Sequence, residues 1–141
     1  LNIVGNKEVE ETGTYTIKSY INMDAETVKT GLETSLMKPI VIGEGTKIIK
    51  QYPASNTKLN AGNKIFLVTN DTNNYKMLDI KGWSRNDVIT YAKLVGIDVS
   101  FEGTGYVKSF NIKKDTLLDA NIKLEVVLEP KFKEEETTKE E

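Results

Sequence analysis

The sequence EGTKIIK at residues 44–50 recurs as EGTGYVK at residues 102–108, an offset of 58 residues. Downstream, LNAGNKIFLV at residues 59–68 matches LLDANIKLEVV at residues 117–127 with one inserted residue. Self-similarity at a fixed offset is the signature of repeated structural units. The sequence therefore predicts two copies of one small module.

A pattern of apolar residues at helical spacing precedes each EGT motif. Asp24 and Ser84 stand where the N-caps of two helices are expected, and Pro39 and Gly96 mark the helix ends. The apolar faces consist of Val28, Leu32 and Leu36 in the first copy and Val88, Ala92 and Val95 in the second. Both copies are therefore predicted to contain one amphipathic helix.

After each helix the apolar period shortens from about four residues to two, which is typical of half-buried strands. The alternating residues of the second copy are Ile97, Val99 and Phe101, followed by Ile122, Leu124, Val126 and Leu128. Gly103 and Gly105 stand where a tight turn would join two strands. Each copy is therefore predicted to be a helix followed by three strands.

The predicted domain organisation has five segments. Residues 1–18 form an N-terminal connecting segment, and residues 19–70 form the first domain. Residues 71–74 are a polar linker of turn-forming residues. Residues 75–130 form the second domain, and residues 131–141 form a disordered charged tail, because one aromatic and no aliphatic residue cannot support a core.

The composition excludes several classes of function. The chain has no Cys and no His, which rules out thiol nucleophiles, disulfides, Cys/His zinc sites and Ser-His-Asp triads within it. Three Lys and five Glu in the tail account for the net charge of −2, and the rest of the chain balances at 16 basic and 16 acidic residues. We therefore expect no metal, no cofactor and no nucleic-acid partner. No apolar run approaches the roughly 20 residues needed to cross a bilayer, so no membrane contact is expected within this segment.

Three longer stretches carry a resemblance to a known family. The helix leading to PIVIGEGTKI at residues 39–48, and DIKGWS at residues 79–84 leading to FEGTG at residues 101–105, resemble paired PASTA domains. Such pairs end class B penicillin-binding proteins, notably the septal transpeptidases of Gram-positive cocci. The resemblance covers residues 19–129 and implies an α+β fold of two tandem domains, each with one helix packed on a three-stranded antiparallel sheet.

The same resemblance implies a place and a role. The chain is expected on the extracellular face of the cytoplasmic membrane, at the septum or cell wall, as a non-catalytic part of a membrane-anchored D,D-transpeptidase. It would support peptidoglycan synthesis and septal cell division, with weak binding of peptidoglycan or muropeptides. The alternative is a structural module that docks on the parent transpeptidase domain or on divisome proteins, without any small-molecule ligand.

Three short strings match the motifs of penicillin-binding transpeptidases but fail on geometry. They are KTG at residues 29–31, SLMK at residues 35–38 and SRN at residues 84–86. In a working site the serine opens a helix and the KTG lies on a neighbouring strand. Here the KTG and Ser35 fall in one predicted helix, with Ser35 at its end. We therefore expect no catalytic residue in this chain.

Four residues are candidates for binding. Trp83 could offer a platform to a sugar or a stem peptide, with Arg85 pairing a carboxylate. Alternatively, Trp83 packs ahead of the second helix or between the copies. Tyr106 and Phe110 are expected on one face of a strand together with Lys108, either as part of a ligand groove or as a partly buried sheet face.

Overall fold

The computed structural model describes residues 14–130, which form two compact units that divide after Asn74. Each unit contains one helix and one three-stranded sheet. The prediction of two tandem α+β domains is therefore confirmed. The predicted tail at residues 131–141 and most of the predicted connecting segment lie outside the described residues.

In the first unit, the last strand lies at the centre of the sheet. The elements are β1 (Thr14–Thr16), α1 (Ala25–Thr34), β2 (Lys38–Ile42), β3 (Ile48–Tyr52), β4 (Lys58–Asn60) and β5 (Lys64–Thr69). Strand β5 pairs in parallel with β2 and antiparallel with β3, while β1 pairs antiparallel with β4. Helix α1 buries Ala25, Val28 and Leu32 in a core that includes Ile65 and Leu67 of β5.

The first unit begins earlier in the chain than predicted. Tyr15 and Ile17 are 4% and 0% exposed and belong to the core of this unit. The backbone N–H of Ile17 also donates to the carbonyl of Thr57 at 2.8 Å. Residues 14–18, which the sequence assigned to a connecting segment, are therefore part of the folded unit.

The second unit repeats the same arrangement. Its elements are α2 (Arg85–Val95), β6 (Asp98–Glu102), β7 (Tyr106–Phe110) and β8 (Lys123–Glu129), with the strand order β6-β8-β7. Helix α2 buries Val88, Tyr91 and Ala92, and β8 buries alternate residues on the side that faces the helix. Those residues are Leu124, Val126 and Leu128. No helix of residues 14–130 is long and apolar enough to cross a membrane.

Both sheets are mixed rather than wholly antiparallel, which corrects one expectation. Strand β6 runs parallel to β8, and β7 runs antiparallel to it. Because β8 lies between them, Gly103 and Gly105 do not form a tight hairpin turn. The loop instead passes over the end of β8 with positive φ angles of 89° and 105° at these glycines. A Cβ atom at Gly103 would stand 2.5 Å from the carbonyl oxygen of Leu128, so the crossing leaves no room for a side chain.

The structural offset between the copies differs from that of the EGT motif. The N-caps Asp24 and Ser84 are 60 residues apart. Beyond the first sheet strand the offset is 59: the N–H of Ile48 donates to the carbonyl of Met23, and the N–H of Val107 donates to that of Trp83. The loop after β2 is therefore one residue longer than the loop after β6, and the 58-residue match does not align equivalent positions.

Candidate functional site

The sheet face of the second unit that points away from helix α2 is polar and concave. The register places Ser100 beside Glu125, and both Glu102 and Ser109 beside Val127. Since Val126 and its alternate neighbours on β8 face the helix, these side chains face outward. We call the surface formed by Ser100, Glu102, Tyr106, Ser109, Glu125 and Val127 the open sheet face. It contains a shallow groove of about 480 Å³, lined by three consecutive residues of each strand.

One end of this groove is fixed by Asn111, just beyond β7. Its side-chain oxygen accepts from the backbone N–H of Glu125 at 2.7 Å, and its amide donates to the carbonyl of Lys123 at 3.1 Å. The side chain thereby continues the hydrogen-bond ladder where the backbone of β7 leaves β8. The position of Glu125 in the groove is therefore held by its own strand and by this side chain.

Tyr106 and Phe110 lie on opposite faces of the sheet, which corrects the expected placement. The register shifts between Val107 and Ser109, because Lys108 is an extra residue in a β-bulge. Tyr106 pairs with Glu129 and faces outward, with 40% of its surface exposed. Phe110 pairs with Val126 and faces the helix side. Only the tyrosine ring therefore extends the open sheet face.

Arg85 also belongs to the helix side. Its guanidinium carbon stands 4.7 Å from the centroid of the Phe101 ring, within the range of a cation–π contact. Phe101 pairs with Val126, so this contact lies on the face opposite to Tyr106. The structure does not bring Arg85 and Tyr106 onto one surface.

Trp83 is packed rather than displayed. It is 9% exposed, and its ring meets the ring of Tyr91 edge to face, with centroids 5.7 Å apart and an interplanar angle of 75°. A flat indole face is therefore not available for stacking with a sugar. Its position directly before the N-cap Ser84 agrees with a packing role.

The first unit has no equivalent polar face. At the matching outward positions of β2 and β5 stand Ile42, Phe66 and Val68, which are 1%, 2% and 0% exposed. The sequence did carry a signal for this difference. In the second copy, polar residues alternate with Val99 and Phe101 and with Leu124 and Val126, whereas β5 is apolar at successive positions. Attention to the outward strand positions would have identified the open sheet face.

The open sheet face carries carboxylates but no metal site. Glu102 and Glu125 contribute negative charge, while Asp98 at the sheet edge pairs with Lys123 at 3.5 Å. That pair is exposed and adds little stability. Within residues 14–130 no three acidic side chains are grouped so that they could hold a metal ion. Hydrogen bonding and attraction of cationic groups are what this arrangement offers.

The strings that resemble transpeptidase motifs have structural roles. Lys29, Thr30 and Gly31 lie within α1, and Ser35 is the C-cap of the same helix and is buried. The Ser84 side chain accepts from the N–H of Asp87 at 3.2 Å as the N-cap of α2. The helix that carries KTG and ends at Ser35 matches the predicted arrangement, and no nucleophile opens a helix beside a lysine.

Comparisons with known proteins agree with this fold. The PASTA domain family matches residues 15–71. The structure of penicillin-binding protein 2X from Streptococcus thermophilus is similar over 82% of this chain, with 26% identity and a TM-score of 0.74. This chain covers 17% of that protein.

Two structures from Staphylococcus aureus are also similar at 16% identity. The three-PASTA-domain of a Ser/Thr kinase is matched over 80% of this chain and 66% of its own length, with a TM-score of 0.33. The entire extracellular region of the Ser/Thr kinase PrkC is matched over 88% and 55%, with a TM-score of 0.32.

PASTA domains are non-catalytic modules that form extracellular parts of membrane proteins. Residues 15–71 coincide with the first unit, whose helix, sheet and β1–β4 ribbon are described above. The chain therefore belongs to the PASTA family through these residues, and it resembles the PASTA region of a class B penicillin-binding protein.

Proposed function

We propose that the chain is the accessory region of a membrane-anchored class B penicillin-binding protein, a D,D-transpeptidase of septal peptidoglycan synthesis in a Gram-positive bacterium. We further propose that its open sheet face binds peptidoglycan weakly. The observation that carries the first part is the similarity to penicillin-binding protein 2X over 82% of this chain. Because the chain spans 17% of that protein, catalysis would reside in the remainder of the parent.

The chemistry of the open sheet face supports the second part. An exposed aromatic ring such as that of Tyr106 can pack against the apolar face of a sugar. Glu102 and Glu125 can accept hydrogen bonds from sugar hydroxyls and can attract the amino groups of stem peptides. The groove is open and shallow, so little of a ligand would be buried and the affinity would be low. Trp83, Arg85 and Phe110 do not face this groove, so the proposal rests on Tyr106 and the two glutamates.

Sedimentation with purified sacculi, followed by titration with soluble muropeptides, tests this proposal. We expect saturable binding that weakens about fivefold in Tyr106→Ala, roughly the loss of one modest contact. The double variant Glu102→Gln/Glu125→Gln is expected to weaken binding and to reduce its dependence on salt. Tyr52→Ala is the matched control, because Tyr52 is an exposed tyrosine of the first unit. Unchanged binding in Tyr106→Ala, or an equal loss in Tyr52→Ala, would contradict the assignment of the site.

A second function is a protein-interaction module that docks on the transpeptidase domain or on a divisome partner. It is favoured by a groove on the first unit, which lies between α1 and the chain before it. Association with the isolated parent catalytic domain, together with no sedimentation on sacculi, would support this function over peptidoglycan binding.

A further inference from the structure

The first unit has a groove of about 340 Å³ between α1 and the segment that precedes it. Its lining residues are Tyr15, Lys18, Tyr20, Met23, Thr27, Val28, Gly31, Leu32, Thr34 and Ser35. The volume is at the lower end of the range of small-ligand sites, roughly 300 to 1,000 Å³. The question is which chemical group this groove fits.

The second unit shows what fills the equivalent space there. Gly31 and Tyr91 are each the seventh residue after the N-cap of their helix. The Tyr91 hydroxyl accepts from the N–H of Leu78 at 3.1 Å and donates to the carbonyl of Lys76 at 3.3 Å. Its ring packs on Trp83, whose position corresponds to Met23 in the first unit. The second unit therefore closes this space with its own aromatic pair.

The first unit lacks both members of that pair. A Cβ atom on Gly31 would meet nothing within 4 Å, so the glycine is not required by packing inside the unit. Glycine in a helix interior costs about 1 kcal/mol relative to alanine, which makes an unneeded one a candidate for close approach by another group. Met23 is 45% exposed, and methionine adapts its shape readily to a partner.

Hydroxyl groups line the inner end of the groove. The N–H of Lys18, which corresponds to that of Leu78, donates to the Tyr20 hydroxyl at 3.3 Å. The Tyr20 hydroxyl is in turn 3.1 Å from the Tyr15 hydroxyl. Phenol oxygens both donate and accept hydrogen bonds. A polar end beyond apolar and backbone walls matches a ring that carries a hydroxyl at its tip.

We propose that this groove receives a tyrosine side chain presented by a partner polypeptide. The ring would lie between Met23 and the backbone at Gly31, and its hydroxyl would reach the Tyr15–Tyr20 pair. The ligand class follows from the second unit, where a tyrosine delivered by a polypeptide occupies the corresponding space. The inference does not depend on peptidoglycan binding, which uses a face of the other unit.

NMR of the 141-residue chain with ¹³C-labelled methionine methyl groups tests the proposal, with N-acetyl-tyrosinamide as the probe. We expect saturable shifts of the Met23 methyl signal, while Met37 and Met77, buried in the first and second units, stay in place. Gly31→Leu fills the groove and should weaken binding about tenfold or more. Thr30→Leu adds a similar side chain at an exposed neighbouring position outside the lining and should bind like the parent chain.

Several results would overturn the proposal. They are no response of Met23, an equal response to N-acetyl-leucinamide, or unchanged binding in Gly31→Leu with an unshifted Met37 signal that shows a native core. Binding of p-cresol without binding of N-acetyl-tyrosinamide would also overturn it, because the groove would then accept a small aromatic molecule and exclude a polypeptide. Loss of sacculus binding in the Tyr106→Ala experiment would leave these outcomes unaffected.

Discussion

The hydroxyl of Tyr91 accepts a hydrogen bond from the backbone N–H of Leu78 at 3.1 Å, which ties helix α2 to the chain before it. Tyr91→Phe would leave that N–H without this acceptor. An unsatisfied partly buried donor costs about 1 to 3 kcal/mol, and we expect a loss of stability in this range. Urea unfolding followed by fluorescence of Trp83, the only tryptophan, reports on the second unit. An unchanged midpoint would show that water replaces the phenol.

The same residue predicts how the second unit responds to alkali. Burial raises the pKa of Tyr91 from its usual 10.0 to about 12. Because the folded pKa is raised, the contribution to stability is fully present below about pH 10 and is lost as the pH rises towards 12. The expected loss is about 2 to 3 kcal/mol. In Tyr91→Phe the unfolding midpoint should depend less on pH over this window; an identical pH profile in both chains would contradict the prediction.

Asp24 predicts the opposite response in the first unit. Hydrogen bonds from the backbone N–H and the side-chain hydroxyl of Thr27, each 2.9 Å long, lower the pKa of this N-cap carboxyl. The stabilising contribution is therefore present above the usual pKa and is lost as the pH falls through the folded value. Asp24→Ser copies the Ser84 cap of the second unit and should remove this acid dependence.

Thermal unfolding followed by the Met37 methyl signal measures this effect in the first unit. The acid-induced shift of the midpoint should be smaller in Asp24→Ser than in the parent chain. Ser84→Asp is the reciprocal variant and should introduce a new acid dependence into the second unit. Equal acid shifts in the parent chain and in Asp24→Ser would show that the cap is not responsible.

Two glycines with similar φ angles should tolerate alanine very differently. Gly96 ends helix α2 at φ 80°, and a Cβ atom there would meet nothing within 4 Å. Gly96→Ala should therefore cost only the strain of a positive φ, about 1 kcal/mol. Gly103, at φ 89°, also faces the carbonyl of Leu128, and Gly103→Ala should cost at least about 2 kcal/mol more. Urea midpoints of the two variants make the comparison, and equal losses would contradict a backbone clash at Gly103.

Features encoded locally were predictable, and features set by a partner strand were not. The caps Asp24 and Ser84 were identified because their side chains act on residues three positions along the same chain. The parallel pairing of β6 and the bulge at Lys108 depend on β8, which lies far along the sequence. The expected shared face of Tyr106 and Phe110 was wrong for this reason, since one inserted residue moves every later side chain to the other face.

Copy-to-copy differences were hidden by the wrong offset. With an offset of 60 residues, Gly31 aligns with Tyr91 and Met23 with Trp83, and the groove of the first unit becomes visible in the sequence. The helix N-caps already contained this offset. The similarity of the two EGT motifs outweighed it, although loop residues tolerate insertions better than the elements that they join.

The position of β8 at the centre of its sheet also bears on how the domain is made. During vectorial synthesis and export, β6 and β7 emerge first, and neither has a sheet partner until residues 123–129 follow. Pairing of this kind is non-local, which slows folding and leaves strands exposed in the interval. A premature stop before Lys123 would thus remove the strand on which both others depend, so such a chain would present two unpaired strands to the quality-control machinery.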